Sequence, residues 1–177
     1  MMEMIDELDG AGEPTGRSFP RKQIHKRGLW HRTVHVWLLN SSKQLLLQKR
    51  SHLKESHPGL WDISAAGHCC SGDTSIYSAV REIQEELGIE VEPGSLEYLF
   101  TVTQSFAEND FVDNEFCDVY LLRADVLVGD LSVCTEEVAD VRFLFWPKLE
   151  KSCGGSEFVD HEQEYAKLFS FLSKTCS

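Results

Sequence analysis

The stretch Gly67–Ile89, GHCCSGDTSIYSAVREIQEELGI, decides the fold. Within it Ile76, Ala79, Val80, Ile83 and Leu87 recur at helical spacing and form one apolar stripe. Glu82, Glu85 and Glu86 stand at i, i+3 and i+4, a spacing that brings their side chains together on another face. Gly88 then supplies the residue a helix C-terminus favours. Like charges at this spacing repel by roughly a few tenths of a kcal/mol per pair, even on an exposed helix. A hard divalent cation turns that repulsion into a binding site, because Mg²⁺ takes oxygen ligands and often shares them with substrate phosphates. The alternative is a solvated acidic face on an amphipathic helix.

The flanks favour the metal. Gly67, Arg81, Glu82, Ile83, Glu85, Glu86, Gly88 and Ile89 fall in register with the Nudix box, which the whole string resembles. Asp73 departs from it, standing where the family usually has Glu. The resemblance implies an α/β/α sandwich with a mixed sheet, here with an additional N-terminal hairpin and C-terminal helix. It also implies roles. Glu85 and Glu86 would be the principal metal carboxylates, joined by the Gly67 carbonyl, and Glu82 would complete the shell or accept a proton from the attacking water. Arg81 would orient these carboxylates with its planar fork of donors, and Asp73 would hold Arg81. The expected cofactor is Mg²⁺, with Mn²⁺ possible in its place. The expected reaction is hydrolysis of a diphosphate linked to an organic group.

A second resemblance narrows the subgroup. WHRTVHVWLLN, LLLQKRS, PGLWDIS, GH and NEFCDVY are similar to segments of isopentenyl-diphosphate isomerase and its Nudix relatives. Those isomerases bind a metal with three histidines and two glutamates. His31, His68 and Glu115 align with three of these ligands, His25 lies near another, and Asp113 occupies the last. Arg50 and Lys54 match basic positions that face the diphosphate in the isomerases; their alternative is a solvated strand-end pair. Isomerases carry a catalytic cysteine immediately before the Gly-His pair, whereas Ala66 stands there in this chain. An enzyme that protonates and deprotonates carbon cannot lose an acid/base group lightly, so hydrolysis is the expectation. A further loop carboxylate is sought among Glu136, Glu137, Asp113 and Glu115.

The remainder of the chain sets bounds. The sequence has 177 residues, 42% of them hydrophobic, enough for one full core and a single domain. That domain is read over 1–177, with 1–28 as an N-terminal extension and 148–177 as a C-terminal helical extension. A net charge of −12 argues against nucleic acid or anionic membrane as partners, leaving a small-molecule diphosphate. No apolar run is long enough to span a bilayer, the acidic N-terminus lacks a signal pattern, and the six cysteines form no framework. A soluble cytoplasmic protein is expected, of open oligomeric state.

Strands are read at Thr33–Leu39, Gln44–Gln48, Ile63–Gly67, Leu96–Phe106, Phe116–Leu122 and Val141–Trp146, with a polar loop at Ala107–Glu115. A helix is read from about His161 to Ser173. The basic run Arg21, Lys22, His25, Lys26 and Arg27 reads as a solubilising loop or a phosphate attractor. Trp30, Trp37, Trp61 and Phe106 belong either to the core or to a pocket for a base or prenyl chain. Three functions stand side by side: a Mg²⁺-dependent diphosphohydrolase acting on an isoprenoid diphosphate or a nucleoside diphosphate derivative, an isomerase-like enzyme, and a non-catalytic nucleotide-sensing module.

Overall fold

In the computed structural model, residues 3–108 and 111–176 are described. A two-stranded antiparallel hairpin, β1 (Met4–Leu8) and β2 (Pro14–Pro20), leads into a short helix α1 (Arg21–Arg27). The central sheet follows with β3 (Trp30–Leu39), β4 (Gln44–Arg50), β5 (Trp61–Asp62) and β6 (Ala65–His68). After helix α2 (Ser75–Leu87) come β7 (Leu96–Glu108), β8 (Phe111–Arg123) and β9 (Val138–Phe145), then helices α3 (Trp146–Ser152) and α4 (Glu162–Thr175). The order β5-β4-β3-β8-β7 runs across the sheet, with β6 on β3 and β9 on β4. β3 and β8 pair in parallel, while β7 is antiparallel to β8, so the sheet is mixed.

Strand β3 is buried on both faces and explains the layering. Val34, Val36 and Leu38 pack with Ala79, Ile83 and Leu87 of α2, while Trp37 and Leu39 pack with Leu149 of α3 and Tyr165, Leu168, Phe169 and Leu172 of α4. Alternation along the strand assigns each residue to one helical layer. A fully buried aliphatic side chain such as Ile83 contributes about 1.5–3 kcal/mol. The result is the α/β/α sandwich with an added hairpin and C-terminal helix.

Several local expectations change. The expected polar loop at 107–115 is largely strand: β7 and β8 run to Glu108 and from Phe111, and Asn109 and Asp110 lie outside the described residues. The basic run is helix α1, closed by Gly28 in the left-handed conformation at φ 59°. The last strand runs Val138–Phe145, and Trp146, read from the sequence as its final residue, instead opens α3 with Pro147 in the first turn. Trp37 and Trp61 belong to the core. No helix among the described residues is long and apolar enough to cross a membrane.

Candidate active site

Helix α2 delivers the box carboxylates, but not equally. Glu82 and Glu86 are buried beneath the sheet edge, whereas the side chain of Glu85 is 61% exposed. Positions 82 and 86 lie about 40° apart around the helix and share the inward face, while position 85 turns toward solvent. Arg81 bridges them: its Nη1 lies 2.7 Å from Glu82 and donates to Glu85 at 3.1 Å, and its Nη2 donates to the His68 carbonyl at 2.8 Å. Asp73 is exposed and takes no part in this fork, contrary to the expected support for Arg81. The Gly67 backbone rests on the Glu82 carboxylate so closely that a Cβ there would lie 2.0 Å from Glu82 Cδ. Only glycine permits the two groups to share this corner.

Burial pushes the Glu82 carboxyl up to about 8, Arg81 opposing and Glu86 adding to the rise. Burial likewise raises Glu86 to about 7, against the pull of Lys54. One Glu86 oxygen accepts from the Ala66 amide at 3.0 Å and from Gln48 Nε2 at 3.1 Å. Its other oxygen receives neither. Lys54 pairs with Glu137, and both bear on the Glu86 carboxyl. Of the loop carboxylates, Glu137 is therefore the one beside the α2 site. Arg50 donates to Asp62 at 2.9 Å and to the Ser56 carbonyl and hydroxyl at 3.0 and 3.1 Å, so part of its fork is spent on structure.

On the other face of the sheet a second cluster forms at the ends of β3, β6 and β8. His25, His31, His68 and Asp113 offer ligand atoms within 4.8 Å of one another. His31 Nε2 lies 3.3 Å from Asp113 Oδ1 and 3.9 Å from Glu115 Oε1, and His25 Nε2 lies 3.2 Å from His68 Nε2. His31 Nδ1 donates to the Leu29 carbonyl at 3.0 Å, which leaves Nε2 as a lone pair. That lone pair then faces a carboxylate oxygen, and both atoms are enclosed without a hydrogen-bond partner. Two facing acceptors are reconciled by a cation. Burial lowers the His31 and His68 pKa values, keeping the imidazoles neutral and able to ligate. Burial and the neighbouring Asp113 raise Glu115.

The family model for the NUDIX domain matches residues 29–169, most of the chain. This protein belongs to the Nudix family. It is 40% identical over 183 aligned residues to Nudix hydrolase 3 of Arabidopsis thaliana, covering 98% of this chain but only 24% of that longer protein. It is also 32% identical over 122 residues to an isopentenyl-diphosphate Delta-isomerase of Serratia proteamaculans, covering 68% of this chain and 66% of the isomerase. A crystal structure from Deinococcus radiodurans shares the fold at a TM-score of 0.71 and 23% identity, covering 94% of this chain and 98% of that one. The hydrolase and isomerase resemblances in the sequence are thus both present among relatives, and the chain is a Nudix hydrolase by family.

The Nudix site also contains residues the sequence did not advertise. Gln48 steadies Glu86 from β4, whereas His25, already read from the sequence as lying near a ligand position, reaches the second cluster from α1. His35 bonds Glu164 at 2.7 Å, Trp37 donates to the same carboxylate at 2.6 Å, and His161 meets Asp62 at 2.8 Å. No local spacing encodes these pairs, because their partners lie about a hundred or more residues apart.

Proposed function

We propose that this protein is a metal-dependent diphosphohydrolase that cleaves a small-molecule diphosphate linked to an organic group, either an isoprenoid diphosphate or a nucleoside diphosphate derivative. The observation that carries this reading is the buried Glu82–Glu86 pair beside the Gly67 backbone, raised to about 8 and about 7 by a burial that Arg81 and Lys54 offset only in part. Oxygen-only donors of this kind fit Mg²⁺, with Mn²⁺ as a substitute. Gly67, Glu82, Glu85 and Glu86 would hold it. His31, His68 and Glu115, with His25 and Asp113, suit a second divalent ion that accepts nitrogen ligands. Bound at these positions, the ions would neutralise diphosphate charge and polarise the bond to be broken.

The protein side chains supply the rest. Glu82 takes a proton from the attacking water, a role suited to a carboxyl raised toward neutrality. Water adds to phosphorus and the bridging P–O bond breaks, giving two phosphate-bearing products. Arg81 holds Glu82 and Glu85 in place through its fork. Lys54, beside Glu86 and Glu137, and the uncommitted N–H groups of Arg50 face the diphosphate. Holding water and phosphorus in line can remove roughly 7–11 kcal/mol of barrier in favourable cases. The six cysteines are free thiols, in keeping with action in the cytoplasm.

The test is phosphate or monophosphate release from isopentenyl and geranyl diphosphates, ADP-ribose, nucleotide sugars, dinucleotides and nucleoside triphosphates, with Mg²⁺ or Mn²⁺. Metal-dependent turnover that disappears in Glu86→Gln is expected. A folded, metal-binding protein inert toward every member would reject the reading. The histidine cluster favours one other reading, an isomerase-like activity, which Ala66 opposes. Deuterium exchange from solvent into isopentenyl diphosphate would establish it.

A further inference from the structure

We propose that Lys54 is a charge latch: it occupies Glu137 in the ligand-free protein, and a diphosphate that draws Lys54 away releases Glu137 to the cation held by Glu82 and Glu86. The cation site in this inference rests on the hydrolase reading; the latch itself rests on the contacts of Lys54 and Glu137.

Backbone hydrogen bonds place the two residues. The Glu86 carbonyl, in the last turn of α2, accepts from the Cys134 N–H at 3.1 Å, and the Cys134 carbonyl accepts from the Glu137 N–H at 2.9 Å. The Glu137 carbonyl in turn accepts from the Ser51 N–H at 2.9 Å, and the Ser51 carbonyl from the Lys54 N–H at 3.2 Å. These bonds run without a break from the residue with the buried carboxylate to the residue with the ammonium. Nearby, the Leu87 carbonyl accepts from the Ser132 N–H at 3.0 Å. Carbonyls in the last turn of a helix have no partner within it. The segment that satisfies two of them therefore carries Glu137 to that end of α2.

The side chains complete the arrangement. The Lys54 ammonium pairs with Glu137 Oε2. It also pulls on the Glu86 carboxyl, which Glu137 repels, and its charge reaches His68 of the second cluster. Lys54 therefore stands between the two candidate cation sites, where a bridging diphosphate would lie. The rest of its loop is braced. Arg50 Nε and Nη2 donate to the Ser56 carbonyl and hydroxyl at 3.0 and 3.1 Å, and the Gly59 N–H donates to the Arg50 carbonyl at 3.1 Å. Only the flexible stem of Lys54 has to swing. Its side chain is 18% exposed and that of Glu137 is 42% exposed, so water screens the pair and weakens it. A diphosphate brings several negative charges to the same ammonium and outcompetes a single carboxylate. Glu137 is then left without its cation beside Glu86, as a further hard oxygen donor for a divalent ion. Diphosphate and cation thereby strengthen each other's binding, as linkage requires.

The probes are Mn²⁺ alone and a preformed Mn²⁺–methylenediphosphonate complex, followed by electron paramagnetic resonance as the binding that Glu86→Gln abolishes. For Mn²⁺ alone, Glu137→Gln should change Kd by less than about 2-fold in the wild type but raise it about 10-fold in a Lys54→Met background. For the complex, Glu137→Gln should raise Kd about 10-fold even with Lys54 present, because the diphosphonate has taken the ammonium. Lys54→Gln should reproduce the Lys54→Met result. Equal effects of Glu137→Gln in the two backgrounds, or an unchanged Kd for the complex, would overturn the latch and leave the cation site standing. Mn²⁺ binding that Glu86→Gln does not diminish would overturn the cation site of the hydrolase reading, and the latch with it.

Discussion

On the α2 side of the sheet, Glu82 and Glu86 are buried and their carboxyls are raised; on the α4 side, Asp62 and Glu164 are buried as deeply and theirs are lowered. Burial pushes all four upward. At Asp62 the charges of His161 and Arg50 override it, and at Glu164 the His35 pair does so. On the α4 side the protein brings its own cations and the carboxylates hold the helix to the sheet. On the α2 side, among the described residues, Arg81 contacts Glu82, Lys54 pulls on Glu86 from beside Glu137, and one Glu86 oxygen takes no part in the Ala66 and Gln48 bonds. Buried carboxylates are structural where neighbouring cations outweigh burial and available for chemistry where they do not.

The largest effect should come from the unpaired side. Glu86→Gln removes a carboxylate from the metal shell and should lower kcat by about 10³-fold or more, read as initial rates at saturating substrate. The same variant should not destabilise the metal-free protein, since it removes a buried charge. The paired side should behave in the opposite way. Glu164→Ala strands His35 and the Trp37 N–H, and should cost about 3–5 kcal/mol in urea unfolding while the remaining folded fraction keeps its kcat.

Gly67→Ala should affect both readouts. Its Cβ would fall 2.0 Å from Glu82 Cδ, so the carboxylate must move. A stability loss of about 1–3 kcal/mol and a turnover loss of about 10²-fold are expected from thermal melts and rates.

The two sides should also differ in pH dependence. In the metal-free protein Glu82 and Glu86 keep their protons to about 8 and about 7, against 4.5 for an ordinary glutamate. The folded state thus holds protons that the unfolded chain has released. Stability present below about pH 4.5 is lost as pH rises through 7 to 8. Melting temperatures should fall across that window, and Glu82→Gln with Glu86→Gln should flatten the slope. A rising slope would contradict the assignment.

The legible parts of the molecule were those with local rules. The apolar stripe and Gly88 marked α2, and the run Thr33–Leu39 marked β3 as a strand. The split between Glu85 and its neighbours was not legible, because it depends on which side of the helix the sheet covers. α1 was read as loop because its seven residues carry one buried aliphatic, Ile24, among basic side chains. The tips of β7 and β8 were read as loop because Asp113 and Glu115 are polar for the sake of the site. Asp113 and Glu115 were in the sequence as candidates, but the enclosure of His31 Nε2 against Asp113 emerged only from strand register. The Asp62–His161 pair joins two distant segments and leaves no spacing to find.

The most direct test of the central contrast is a Mn²⁺ titration followed by electron paramagnetic resonance at pH 8, with the wild type, Glu82→Gln/Glu86→Gln and His35→Phe/Glu164→Leu. The expected result is metal binding at the α2 carboxylates that is lost in the first double variant and kept in the second, provided each is folded by circular dichroism. Unchanged Mn²⁺ binding after removal of Glu82 and Glu86 would mean that these buried carboxylates are not the cation site, and would contradict the account.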